Sequence, residues 1–190
     1  IILENMRDKI GRYKDRDRYL SVSLDIVDEM NQIVLEILSL SSVQELAGDK
    51  EWIQLDQVLE QILDQYKVLA QSRSLTIDNR IPDKPVYMDP AILKLVLSNV
   101  ISNAVKHSDA GGEIQLRLEE EGTHLAVENT SQEMVETAEM PMTASRQKKE
   151  GGLGLFVVQH LLDHEELAYQ FDKTAMGLRF RMELPKEPQE

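Results

Sequence analysis

"LSNVISNAVKHS", from Leu97 to Ser108, sets two asparagines four residues apart inside an apolar helical pattern. Just upstream, Asp89 and Pro90 supply an N-cap and a first-turn proline, which predicts a helix beginning at Pro90. Asparagine is a mediocre helix former, so its repeated use in one helix needs a reason. The stripe expected to be buried consists of Leu93, Val96, Leu97, Val100, Ile101 and Ala104.

A second face of this helix is neutral to positive. Asn99, Asn103 and Lys106 are spaced four and three residues apart, and His107 borders them. A carboxamide oxygen suits Mg²⁺ that is already held by phosphates, and a lysine pairs with the phosphates themselves. The face therefore predicts a site for a phosphate ligand with its metal, and the alternative is an ordinary polar surface.

A glycine cluster further along supports the phosphate interpretation. "KKEGGLGLF" places Gly151, Gly152 and Gly154 between two lysines and the start of an apolar helix expected over 153–164. Glycines let backbone N–H groups approach an anion, and the helix N-terminus adds its dipole. The stretch is neither a Walker A loop nor the dinucleotide fingerprint G-x-G-x-x-G. A glycine-rich hinge without a ligand is the alternative.

Composition narrows the function classes. The chain has 190 residues, 42% of them hydrophobic, a net charge of −13 and no cysteine. The absence of cysteine excludes disulfides, thiolate metal sites and a cysteine nucleophile. The negative charge argues against a nucleic-acid partner, because phosphate contacts along a nucleic acid need clustered Lys and Arg.

The remaining patterns predict an α+β domain over residues 47–190. A helix is expected from Leu55 to Leu69, and a long loop from Met134 to Lys149 is typical of a lid. The expected strands are "SLTIDN", "PVYM", "EIQLRL", "HLAVEN", "LAYQF" and "GLRFRMEL". Grouped strands with helices between the groups predict a two-layer sandwich, with a mixed sheet and helices on one face.

Residues 1–46 predict a helical hairpin. Its apolar seam steps by four and three residues, as in a four-helix bundle, so we expect two copies to pair into a homodimer. The alternative is a hairpin packed on its own domain. The seam consists of Ile26, Met30, Ile33, Ile37 and Leu40.

Together these motifs resemble an ATP-binding fold, the Bergerat or GHKL type, which sensor histidine kinases share with gyrase-type topoisomerases, heat-shock-protein-90-type chaperones and MutL proteins. The resemblance covers roughly Ile53 to Leu184. "NVISNAVKHS" resembles the N box, "GGLGL" the G2 box and "GLRFRMELP" the closing strand of the kinase branch. The hairpin resembles a dimerisation and phosphotransfer module. The amino-acid sequence around "KIGRYKDRDRYL" is similar to that of VanS-type vancomycin-resistance sensor kinases.

The resemblance implies roles for single residues. Asn103 would be the Mg²⁺ ligand, with Asn99 near the metal and phosphates. Lys106 would meet phosphate, and His107 would lie near the ribose or phosphates. The remaining residues that it implies for ATP binding are Asn129, Arg146, Lys148, Lys149, Gly152, Leu153, Gly154 and Leu155.

Two departures from the family pattern stand out. The G1 box normally reads Asp-x-Gly-x-Gly, and the aspartate accepts a hydrogen bond from the adenine amino group. The matching stretch here is "NTSQE", in which Asn129 replaces the aspartate and Ser131 and Glu133 replace the glycines. The phenylalanine of the F box is also missing between Glu133 and Gly151.

The resemblance implies kinase rather than hydrolase chemistry. The hydrolytic branch uses a glutamate at the position of Asn99, and a carboxamide cannot act as general base. The kinase branch phosphorylates a histidine in the first bundle helix, and none of the chain's histidines lies in the hairpin. We therefore expect the acceptor upstream of Ile1. The histidines are His107, His124, His160 and His164.

The resulting expectation is a sensor histidine kinase of a two-component system. It would bind Mg-ATP, pass phosphate to the receiver domain of a response regulator, and control vancomycin-resistance genes. The chain would be the cytoplasmic portion of a bacterial plasma-membrane protein, attached to the membrane through upstream segments. The alternatives are an anti-sigma-type serine kinase and a degenerate nucleotide-binding or dimerising module.

Overall fold

The computed structural model describes residues 48–131 and 152–185, together with Ser23, Val27 and Met30, which are helical. The rest of the predicted hairpin and the predicted loop from Met134 to Lys149 lie outside the described residues. The elements in chain order are β1 (Glu51–Gln54), α1 (Leu55–Ser72), β2 (Thr76–Asn79), β3 (Pro85–Met88), α2 (Pro90–His107), β4 (Glu113–Glu119), a 3₁₀ turn (Glu120–Gly122), β5 (His124–Thr130), α3 (Gly152–His164), β6 (Tyr169–Lys173) and β7 (Gly177–Glu183).

The strands form two sheets. The larger has the order β2-β4-β5-β7-β6, and β2 runs parallel to β4 while the other pairs are antiparallel. This confirms the predicted α+β class with a mixed sheet. The second sheet pairs β3 with β1, a strand that the sequence did not predict. The expected strands "SLTIDN" and "PVYM" therefore belong to different sheets and do not pair with each other.

Period-two alternation gives the larger sheet one apolar face. Val127 lies opposite Phe180 and Leu125 lies opposite Met182 on that face. Helices α1, α2 and α3 contribute to the same core, α1 mainly through Leu55, Leu59 and Ile62. The helices thus cover the apolar face, and the predicted buried stripe of α2 is buried as expected.

Helix α2 begins as its sequence predicts. Asp89 is the N-cap, and its Oδ1 accepts hydrogen bonds from the backbone N–H groups of Ala91 (2.7 Å) and Ile92 (3.2 Å). Its Oδ2 accepts another from the N–H of Gly48, which ties the segment before β1 to the start of the helix. Asp89 is buried, so these bonds compensate for the burial of its carboxylate.

The opposite face of the sheet carries a charged network centred on Glu128, which is only 7% exposed. Its carboxylate accepts hydrogen bonds from Nη2 of Arg117 (2.7 Å) and from Oγ1 of Thr174 (2.5 Å). Burial would raise the pKa of Glu128, but the bonds from Thr174 and Arg117 outweigh it, so the pKa lies below its usual value. The network fixes β5 immediately before Asn129.

Within residues 48–131 and 152–185, no helix combines the length and the apolar character needed to cross a membrane.

Candidate functional site

A cleft lies between the sheet and helices α2 and α3, next to the two motifs that the sequence singles out. The enclosed space is about 50 Å³, room for a few water molecules, so a larger ligand must extend through the mouth of the cleft. The lining residues are Val100, Asn103, Ala104, His107, Val127, Asn129, Ser131, Leu155, Phe171, Leu178 and Phe180. Most of them are apolar, and the few polar groups come from α2 and from the end of β5.

Asn99 and Asn103 lie on the side of α2 that meets α3, and both are half-buried. Nδ2 of Asn99 donates a hydrogen bond to the carbonyl of Leu95 at 2.8 Å, one turn earlier, which fixes the orientation of its amide. Nδ2 of Asn103 is buried and has no hydrogen-bond partner among the described residues. A native buried polar atom without a partner calls for an explanation, and a missing ligand is one.

The glycine motif meets the asparagine motif at Gly154. A β-carbon on Gly154 would lie 2.8 Å from Oδ1 of Asn99 and 3.6 Å from Nδ2 of Asn103. A side chain at residue 154 would have to displace the amide of Asn99, so glycine suits this close approach of the first turn of α3 to α2. The structure therefore brings together two motifs that the sequence places on either side of a strand pair.

The far end of the cleft is formed where β5 ends. Asn129 and Ser131 are both buried, and Nδ2 of Asn129 has no hydrogen-bond partner among the described residues. The N–H of Ser131 donates to the carbonyl of Met176 (3.1 Å). A β-carbon on Gly177 would lie 2.2 Å from the carbonyl oxygen of Asn129, so β7 can approach this end only because residue 177 is glycine.

The other predicted site residues are distributed around these two ends. Lys106 and His107 are exposed at the end of α2, and His107 lines the cleft. Leu155 is buried and also lines it. Gly152 and Leu153 belong to the first turn of α3. Arg146, Lys148 and Lys149 lie outside the described residues and stay predictions.

Sequence reasoning missed the apolar lining residues Val127, Phe171, Leu178 and Phe180, and it also missed Arg73, which supports the end of α2. Arg73 follows α1, and its guanidinium donates hydrogen bonds to the carbonyls of Val105, Lys106 and Ser108, the last at 2.7 Å. The carbonyls of Val105 and Lys106 belong to the last turn of α2, and that of Ser108 belongs to its C-cap, where the helix leaves them without helical partners. Nothing local in the sequence marks Arg73, because its partners lie more than thirty residues away.

The residues present fit a nucleotide with a divalent metal. The carboxamide oxygens on α2 are hard ligands of the kind that bind Mg²⁺. Phosphates are bound by groups such as the lysine and histidine at the end of α2 and the glycine-containing N-terminus of α3. The buried Nδ2 of Asn103 is a donor without a partner among the described residues, and a phosphate oxygen of such a ligand would satisfy it. The apolar remainder of the cleft suits a flat base.

The fold and this cleft define a class of ATP-binding proteins. The chain belongs to the family of histidine kinase-, DNA gyrase B- and HSP90-like ATPases, whose model matches residues 88–188. Among its relatives, "Sensor histidine protein kinase HK06" of Streptococcus pneumoniae serotype 2 is 33% identical over 193 residues, 97% of this chain and 43% of that protein. "Sensor protein VanSB" of Enterococcus faecalis is 30% identical over 97% of this chain and 44% of that protein. The chain thus spans less than half the length of these curated relatives.

Solved structures support the fold. The cytoplasmic segment of histidine kinase QseC superposes with a TM-score of 0.62 at 18% identity, over 85% of this chain and 95% of that one. Histidine kinase ThkA in complex with response regulator protein TrrA gives a TM-score of 0.66 at 18% identity, over 97% of this chain and 55% of that one.

Proposed function

We propose that this chain is the ATP-binding core of a sensor histidine kinase, which supplies phosphate to a histidine on a longer chain of the same kind. The observation that carries the proposal is the contact of Gly154 with Asn99 and Asn103 beside an apolar cleft. A relative named as a sensor histidine protein kinase matches 97% of the chain, which supports the same activity.

The proposed roles of the residues come from the family resemblance, and the positions of Asn103 and Asn129 at the cleft support them. Mg²⁺ would be held by Asn103 and Asn99. The phosphates would be bound by Lys106 and by the backbone amides of Gly152 and Gly154 in the first turn of α3. The base would contact Asn129. When bound, Mg²⁺ neutralises charge on the phosphates. Asn99 offers no carboxylate to activate water, so the site favours transfer to a positioned acceptor over hydrolysis.

Pairing into a homodimer through residues 1–46 belongs to the same proposal. Val27 and Met30 are helical, and they are 49% and 60% exposed in the single chain. Exposed apolar residues on a helix favour a partner. A receiver domain of a response regulator as second partner, a membrane attachment through further segments and the control of vancomycin-resistance genes stay predictions from the resemblance to VanS-type kinases.

The experiment has a binding arm and a transfer arm. Calorimetry should show ATP binding that strengthens when Mg²⁺ is present. For the second measurement, this chain is mixed with labelled ATP and with a longer chain that carries the expected acceptor histidine. The longer chain also carries Asn103→Ala, so that it cannot bind Mg-ATP itself. We expect the longer chain to acquire acid-labile, base-stable phosphate. This chain alone should stay unlabelled.

Each alternative has its own outcome. Acid-stable label on a hydroxyl would indicate the anti-sigma-type serine kinase. The mixture is labelled only if phosphorylation runs between subunits, so a longer chain with both the acceptor histidine and an unmodified Asn103 is tested as well. ATP binding without label on that chain would indicate a degenerate nucleotide-binding module. No ATP binding at all would contradict the proposed function.

A further inference from the structure

The end of the cleft that is proposed to hold the base carries Asn129, whose carboxamide can both donate and accept hydrogen bonds. Asn129 is 5% exposed, and its Nδ2 is buried without a hydrogen-bond partner among the described residues. Val127 and Leu178, which line the cleft beside it, are apolar and offer it nothing. A ligand that supplies an acceptor would therefore relieve an unsatisfied donor.

A carboxamide can present either of two patterns to a ligand edge. It has two donor hydrogens on nitrogen and an accepting oxygen, and a half turn about the Cβ–Cγ bond exchanges them. The two orientations are indistinguishable in shape, which is why amide assignments rest on hydrogen-bond partners alone. A carboxylate at the same place could only accept.

The six-position edge of a purine also occurs in two patterns. Adenine presents a donating 6-amino group beside an accepting N1, and hypoxanthine presents an accepting O6 beside a donating N1–H. In one orientation Asn129 accepts from the amino group and donates to N1. In the other it donates to O6 and accepts from N1–H.

We propose that Asn129 makes this site accept 6-oxopurine nucleoside triphosphates as well as ATP. The inference rests on the proposed function, because it assumes that the cleft binds the base of a nucleotide. Ser131, buried beside Asn129, adds a hydroxyl that can also donate or accept. A site with only acceptors would reject O6, since a buried polar edge left without a partner is strongly disfavoured.

The test compares Mg-ATP with Mg-ITP by competition calorimetry on the 190-residue chain. The expected dissociation constants lie within about tenfold of each other, because each base finds the same number of hydrogen bonds. A preference for ATP larger than this would overturn the inference. No binding of either nucleotide would overturn the proposed function with it, whereas ATP binding without ITP binding would overturn the inference alone.

A variant and its control locate the effect. Asn129→Asp should weaken ITP binding by at least about tenfold more than ATP binding, because a carboxylate faces O6 with charge and no donor. Asn79→Asp adds the same charge on β2, where the asparagine is exposed, and should leave the ratio unchanged. An unchanged ratio in Asn129→Asp would contradict the assignment.

A second measurement needs no variant and so does not depend on its folding. The triphosphate of unsubstituted purine riboside has neither the amino group nor O6. It should bind the unmodified chain about tenfold more weakly than ATP or ITP, because one hydrogen bond to Asn129 is lost. Equal affinity for all three nucleotides would show that the six-position is not read and would overturn the inference.

Discussion

Oδ1 of Asn99 lies so close to Gly154 that a β-carbon on residue 154 would be only 2.8 Å from it, closer than ordinary van der Waals contact. Asn99 cannot turn away freely, because its Nδ2 is bonded to the carbonyl of Leu95. The distance between α2 and α3 beside the cleft is thus set by a glycine and an oriented carboxamide.

Gly154→Ala should therefore destabilise the chain, although alanine stabilises an ordinary helix position by about 1 kcal/mol. Overpacking of this kind typically lowers the free energy of unfolding by about 1–3 kcal/mol. Urea denaturation measures this change, and calorimetry should show weaker Mg-ATP binding. In an Asn99→Ala background the same substitution should be tolerated, and an equal loss in both backgrounds would contradict the contact.

Asn103→Ala should remove Mg²⁺-dependent nucleotide binding and leave the fold intact. Nδ2 of Asn103 makes no hydrogen bond within the described residues, and alanine is the better helix former. The free energy of unfolding should consequently fall by less than about 1 kcal/mol, or rise. Asn79→Ala, on the exposed part of β2, is the control for nucleotide binding and should leave the Mg²⁺ dependence unchanged.

Two measurements on Asn103→Ala separate a role in metal binding from a role in supporting the fold. They are ATP calorimetry with and without Mg²⁺, and the melting temperature without ligand. A variant that keeps the full Mg²⁺ enhancement would contradict the metal assignment. A large fall in melting temperature without ligand would indicate that the side chain supports the fold.

The parts of the fold that the sequence predicts correctly have local causes. Helix α2 could be predicted because Asp89, Pro90 and a periodic apolar stripe lie within one segment. Strand β1 could not, because its four residues lack a clear pattern and owe their conformation to pairing with β3. The parallel pairing of β2 with β4 likewise depends on a partner beyond two intervening elements.

In the candidate site, too, features with local causes could be predicted from the sequence, and features that depend on distant partners could not. Residue types and spacing single out Asn99, Asn103 and the glycines, since these carry chemistry that a plain helix surface does not need. Their contact depends on how α2 packs on α3, and no local pattern encodes that distance. Arg73 was missed for the same reason, because its acceptors are backbone carbonyls of a distant helix.

Glu128→Gln should reduce stability at neutral pH more than in acid. The pKa of Glu128 is lowered in the folded chain, so the unfolded chain binds its proton more readily. Its contribution is complete above the unfolded pKa of about 4.3 and is lost as the pH falls through the lower folded value. Losing its charged hydrogen bonds should lower the free energy of unfolding at pH 7 by about 1–2 kcal/mol.

Urea denaturation of both forms at a series of pH values from neutral to strongly acidic measures this dependence. The difference between the two forms should shrink toward the acid end. Glu60→Gln, at an exposed position of α1, is the control and should show little difference at any pH. A constant difference across the series would contradict the role of the ionised carboxylate.

Arg73→Ala should loosen the end of α2 that carries Lys106 and His107. The guanidinium satisfies three carbonyls of that turn, and each would otherwise have to find water. The free energy of unfolding should fall by about 1.5–3 kcal/mol, the range for bonds with a charged donor. Amide hydrogen exchange should rise over 105–108, because the N–H of Ser108 bonds to the carbonyl of Ala104 in the same turn.

Two further variants distinguish this cap from a general charge effect. Arg73→Lys keeps the charge but lacks the planar fork, so it should restore only part of the stability. Arg80→Ala removes an arginine that is exposed and paired with Asp78, and such surface pairs contribute little. If Arg73→Lys behaved like the unmodified chain, the positive charge near the helix end would account for the effect. The three directed hydrogen bonds would then not be needed to hold the end of α2, where His107 lines the cleft.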